Sequence, residues 1–149
     1  MGKLGLITSN QVLQAAFLGW VVAQAIKVFS TLIRTRRFDF ERLMGSGGMP
    51  SSHASTVIAA SVVIGQTMGY DSPVFGLALV TSFVVMYDAC GIRRAAGKQA
   101  EILNSIVDAL RLHQSINYQK KLKELLGHTY FEVFAGAVLG VLVGLFIVS

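Results

Sequence analysis

Charge is scarce in this chain. Asp, Glu, Lys and Arg make up 14% of its 149 residues, where an ordinary soluble domain carries about 25%. With 53% hydrophobic residues and a mean hydropathy of +0.59, the composition excludes a typical soluble domain and points to a small multi-pass membrane protein. Cysteine is limited to Cys90. No internal disulfide can form, and the place of Cys90 at the end of an apolar run reads as a packed thiol. Residues 1–8 lack the basic, apolar and small-residue segments of a signal peptide, which leaves targeting to the helices themselves. A net charge of +5 and a pI near 9.7 would suit nucleic acid. However, the cations sit between apolar runs rather than in a stripe interleaved with aromatics, so nucleic acid is excluded as a partner. Two catalytic patterns are also missing. The three histidines, His53, His113 and His128, offer no H-E-x-x-H spacing, so no metal site is expected. Ser51 and Ser52 lie in no G-x-S-x-G elbow.

What the chain does have is four apolar runs, at about 12–33, 54–70, 73–90 and 129–148. Each is near the roughly 17 to 25 residues that cross a bilayer. They predict an all-α fold, a multi-pass transmembrane helical bundle of about four spans, as one integral-membrane domain over 1–149. The "GYDSP" between the second and third runs permits only a tight turn, so these two form an antiparallel pair. The polar stretches 34–53 and 91–128 each follow an odd-numbered span and therefore share one side of the membrane. In the second of them, "KQAEILNSIVDALRL" places Ala100, Leu103, Ile106, Val107 and Leu110 at helical spacing, which predicts an amphipathic helix lying at the interface, with re-entry or packing under the bundle as the alternative. Of the 13 Lys and Arg, all except Lys3 fall in these stretches or at the span ends that feed them. By the excess of cations, that face is cytoplasmic and both termini are extracytoplasmic.

The residues that could carry chemistry collect at span ends on the same face. In "GSGGMPSSHAST", residues 45–56, the glycines, Gly48 among them, let the backbone approach a ligand closely. The helix start at Ser51 and Ser52 aims backbone N–H groups and two hydroxyls outward, an arrangement suited to phosphate. Lys27 and Arg34, seven apart in "KVFSTLIRTRRF", project from one helix face. An intramembrane lysine is costly and marks function, with snorkelling to the interface as the plainer alternative for one near a helix end. In "MYDACGIRRAAGKQ", Asp88 needs a counter-ion from Lys27, Arg93 or Arg94. Arg93 and Arg94 suit bidentate contact with phosphate oxygens. His128 and Glu132 stand at i and i+4, so the carboxylate can hold one ring N–H and raise the basicity of the other nitrogen. The same track continues through Gly136, Gly140 and Gly144. It reads as a helix-packing groove, internal or between two copies in a homo-oligomer, and secondarily as a slot for an acyl chain.

Together these residues resemble the type 2 phosphatidic acid phosphatase superfamily, whose motifs run K-x6-R-P, P-S-G-H and S-R-x5-H-x3-D. Lys27 to Arg34 matches the first without its proline, and Pro50-Ser51-Ser52-His53 matches the second with Ser for Gly. His128-x3-Glu132 matches the end of the third with Glu for Asp, while Leu122 stands where that motif has Arg, a role that then falls to Arg93. The segments "GGMPSSH", "YDACGIRR" and "LGHTYFEV" are similar to the divergent branch of that superfamily, covering the chain from Lys27 to about Gly140.

The resemblance implies a metal-independent phosphatase that needs no cofactor. His128, oriented by Glu132, would attack phosphorus and form a phosphohistidine, while His53 protonates the leaving alcohol. Lys27, Arg34, Arg93 or Arg94, and the Ser51/Ser52 turn would hold the non-bridging oxygens, with Asp88 and Gly48 in support. The implied substrate is a phospholipid monoester made at the cytoplasmic face of a bacterial cell membrane, such as phosphatidylglycerophosphate or phosphatidic acid. An isoprenoid (polyprenyl) pyrophosphate is the next candidate. The competing reading is a membrane protein that binds a lipid headgroup or anion without catalysis.

Overall fold

The computed structural model of the chain describes residues 2–35, 48–111, 122 and 127–149, and among these residues there is helix and turn but no strand. Six helices follow in order: α1 (Lys3–Thr8), α2 (Gln11–Thr35), α3 (Ser52–Met68), α4 (Pro73–Cys90), α5 (Ile92–Arg111) and α6 (Tyr130–Val148). Among the described residues, three stretches are long and apolar enough to cross a membrane: Gln11–Ile33, Tyr130–Val148, and Pro73–Ala109, which runs through α4 into α5. α3 has 17 residues, about 26 Å, the short end of the spanning range. It is the hub of the bundle, packed against α2, α4 and α6.

α3 can hold that place because its inward positions are small. Ala54, Ser55 and Ala59 are buried and leave room for neighbouring backbones to come close. The Gly136, Gly140 and Gly144 track of α6 is filled by this helix. A Cβ on Gly140 would stand 2.7 Å from the Ser55 carbonyl oxygen, and one on Gly144 would stand 2.7 Å from Val62 Cβ. The groove reading therefore holds as an internal contact. The acyl-slot reading does not, because the backbone of α3 occupies the space. On the opposite side, the Ser55 hydroxyl donates to the Gly19 carbonyl of α2 at 2.9 Å. Toward α4, the Ser61 and Ser82 hydroxyls meet at 2.9 Å. Hydroxyl pairs of this kind add about 0.6 kcal/mol each between membrane helices.

The expected tight turn between α3 and α4 is present. Gly69, at φ +92, ends α3 in a conformation that suits glycine, and Ser72 caps α4 by accepting from the Phe75 N–H at 3.2 Å, with Pro73 in the first turn. Around the bundle, Phe17, Phe29, Leu77, Phe83, Phe134 and Phe146 are exposed, forming an apolar exterior for lipid to cover. α5 is the amphipathic helix the sequence predicts, but it turns a different stripe inward. Gly97, Ala100 and Asn104 are buried, while Leu103 and Ile106 face outward. A lone polar side chain explains the rotation. Asn104 donates to the Leu122 carbonyl and accepts the Leu122 N–H, both at 2.9 Å, pairing the helix with the segment that leads toward α6.

Candidate functional site

Four helices contribute to one end of the bundle. From α2 comes Lys27, 4% exposed, whose ammonium donates to the Ser52 hydroxyl at 3.3 Å. Gln24, one turn earlier on the same face, is buried as well. A buried ammonium requires compensation, since removing an ion from water costs several kcal/mol or more. Among the described residues no carboxylate forms an ion pair with Lys27, and Ser52 is its one hydrogen-bond partner. Lys27 is therefore not the counter-ion of Asp88, which stands in the last turn of α4.

α3 enters the site through a capped start. Ser51 is its N-cap, with the hydroxyl accepting from the Ala54 N–H at 3.4 Å, while the Ser51 N–H donates to the Glu132 carbonyl at 2.9 Å. Just before it, Gly48 holds φ +93, a left-handed conformation that favours glycine, against the Lys27 stem. His53 follows in the first turn and faces His128, with ring centroids 5.8 Å apart and planes at 65°.

His128 lies immediately before α6 and is 1% exposed. Its N–H donates to the Ala89 carbonyl at the end of α4, 2.9 Å away. Gly127, at φ +90, gives the turn that delivers it there. One ring nitrogen, Nδ1, lies 3.5 Å from Glu132 Oε2. Among the described residues both ring nitrogens are buried without a hydrogen bond, Nδ1 facing the Glu132 carboxylate and Nε2 facing no paired group. Burial pushes the ring well below the usual histidine range, to about 4. The Lys27 cation and His53 push the same way, and Glu132 opposes them. His128 is accordingly neutral near neutral pH. With a proton on Nδ1 toward the carboxylate, its Nε2 lone pair is available as a nucleophile or base.

Glu132 is itself held. It is the third residue of α6, and its Oε2 accepts the Thr129 N–H at 2.8 Å while the Thr129 hydroxyl accepts the Glu132 N–H at 3.3 Å, a reciprocal capping box. The structure thus brings Lys27, Ser52, His53, His128 and Glu132 together, with Ser51, Gly48 and Asp88 on the segments that support them. Arg34 closes the last turn of α2, and Arg93 and Arg94 open α5 just beyond Ala89. Their side chains lie outside the described residues. Sequence reasoning passed over Gln24, Asn104 and Thr129. Only Thr129 carried a signal, the T-x-x-E spacing of a capping box. Among the described residues, no group of three or more His, Cys, Asp or Glu is placed to hold a metal ion.

Comparison with known proteins gives two matches. Residues 8–143 match the Divergent PAP2 family. An uncharacterized membrane protein, YuiD of Bacillus subtilis (strain 168), is 36% identical over 151 residues, covering 93% of this chain and 94% of that protein. No solved structure matches the chain.

Proposed function

Because the chain belongs to the Divergent PAP2 family, we propose that it is an integral-membrane phosphatase acting on a lipid phosphate. The observation that carries this reading is the buried ammonium and imidazole set together at one end of the bundle. Among the described residues the Lys27 ammonium bonds one hydroxyl and forms no ion pair, Glu132 acting on it only from a distance, and the bare Nε2 of His128 is buried beside it. A phosphate monoester supplies what both lack, anionic oxygens for the ammonium and an electrophilic phosphorus for the imidazole.

In this reading His128 Nε2 attacks phosphorus, and the bond from phosphorus to the ester oxygen breaks. His53 gives the departing alkoxide a proton, and water then cleaves the phosphohistidine to release inorganic phosphate. Glu132 holds Nδ1–H and offsets the positive charge that the ring acquires. Lys27, Ser52 and the N–H groups opening α3 bind the non-bridging oxygens, joined by Arg34 and by Arg93 or Arg94. The substrate is a phospholipid monoester such as phosphatidylglycerophosphate or phosphatidic acid, with a polyprenyl pyrophosphate as the alternative. The pocket opens at the cytoplasmic face of a bacterial cell membrane, with both termini on the other side.

Leu122 favours a second reading, in which the pocket binds an anionic headgroup without turning it over. It stands where the related motif carries arginine, and its backbone is clamped by Asn104. Phosphate release by purified protein in detergent with excess chelator, across the three lipids, separates the two. Release that vanishes in His128→Ala and His53→Ala supports catalysis. Lipid binding without release by folded wild-type protein supports the second reading.

A further inference from the structure

The acid beside His128 is a glutamate whose length is set by a contact other than the histidine. Its Oε2 accepts from the Thr129 backbone N–H at 2.8 Å and lies 3.5 Å from His128 Nδ1, near enough for electrostatic attraction though no hydrogen bond is formed. A capping box needs a side chain at the third helical position that can curl back to the N-cap N–H. Glutamate is the favoured residue there, and an aspartate, one carbon shorter, makes the bond less well. The reciprocal bond, from the Glu132 N–H to the Thr129 hydroxyl at 3.3 Å, fixes the other end of the loop. His128 directly precedes Thr129, and its own N–H is tied to Ala89. Both members of the pair are thereby located by main-chain bonds.

We infer that Thr129 is a positioning residue for His128 and Glu132: through the reciprocal cap it holds Oε2 against Nδ1, and so decides that Nε2 is the nitrogen left bare to react. The reactive role rests on the phosphatase reading, whereas the choice of ring nitrogen does not. The charged and titratable groups acting on His128 are Lys27 from α2, His53 from α3 and Glu132 from α6, and only Glu132 favours the protonated ring. Across from α4 it meets the Ala89 carbonyl. Loosening the cap therefore leaves burial, Lys27 and His53 less opposed, and the ring becomes harder to protonate.

The test is nitrogen NMR of ring-labelled histidine in the full chain, assigned by removing His53 and His113 in turn, beside phosphate release across pH. Wild type is expected to show His128 with Nδ1–H and a bare Nε2. Thr129→Val and Glu132→Asp are expected to give mixed tautomers and a lower titration midpoint, and Thr129→Ser to recover the wild-type signature. Turnover falls about tenfold or more in the first two, with KM changed by less than about twofold. If Thr129→Val does not fold, Glu132→Asp carries the test, since it keeps the charge and the threonine. A wild-type tautomer and titration in the folded variants would overturn the inference. If wild type releases no phosphate but the NMR behaves as described, the phosphatase reading fails and the positioning role stands.

Discussion

A methyl group added at Gly136 would land on the Ser51 carbonyl oxygen, with Ser51 Cβ at 3.0 Å and Ala54 Cβ at 3.1 Å. A carbon and a carbonyl oxygen approach to about 3.3 Å, so α6 has to retreat from α3 by roughly an ångström in Gly136→Ala. Overpacking of that kind costs about 1–3 kcal/mol, and the gain in helix propensity returns up to about 1 kcal/mol. A net loss on the order of 1–2 kcal/mol is expected. The retreat also stretches the Ser51 N–H bond to the Glu132 carbonyl, 2.9 Å here, and moves Glu132 and His128 relative to Ser52 and His53. A displacement of about 1 Å at reacting groups lowers turnover by roughly a hundredfold. Two companions isolate the cause. Gly144→Ala meets Val62 Cβ at 2.7 Å but lies about 12 Å farther along α6, so it should lose similar stability and far less activity. Gly76→Ala meets nothing within 4 Å and should be neutral or slightly stabilising. Thermal unfolding in detergent, followed by the fluorescence of Trp20, and lipid phosphate release read the two quantities. Gly136→Ala indistinguishable from Gly76→Ala in both would refute the argument.

Lys27→Met should hold or raise the thermal midpoint, because it removes a buried ion that forms no ion pair among the described residues. It should also weaken inhibition by inorganic phosphate tenfold or more, and unchanged inhibition would count against an anion site at the ammonium. Asn104→Ala strips both bonds from the Leu122 backbone and should cost about 2 kcal/mol, seen as a lower unfolding midpoint and faster amide exchange at Leu122. For pH, the folded His128 titrates near 4 against 6.5 for a free ring, so the unfolded chain takes up the proton first as pH falls. Its contribution to stability is full above about 6.5 and is lost toward 4. His128→Gln should flatten the stability profile across that window, and an equally steep profile in the variant would show that other groups govern it.

The pieces legible in the sequence were those whose partners lie nearby in the chain or whose cost in a membrane betrays them. Lys27 in an apolar run, the "PSSH" helix start and the i, i+4 spacing of His128 and Glu132 announced themselves, and the family match agrees with the resemblance they carried. Gly136, Gly140 and Gly144 declared a packing face but not its occupant, since a small-residue stripe fits any smooth partner. Only the placement of α3 shows that Ser51, Ser55 and Val62 fill it. Asn104 was hidden for a different reason. An amphipathic pattern assigns faces by hydrophobicity, whereas this helix is oriented by one amide gripping a distant backbone segment. Thr129 was readable as a cap, but reading Glu132 solely as the partner of His128 hid its second donor.

The two main-chain bonds that tie the site together, from Ser51 to Glu132 and from His128 to Ala89, also impose an order of assembly. Both join α6 or the residue pair before it to helices made earlier on the ribosome. α3 therefore keeps its serines and the Lys27 neighbourhood uncovered until α6 docks, so the site stays open until a helix far along the chain has been made. Docking of that helix is the step that completes the grouping of Lys27, Ser52, His53, His128 and Glu132.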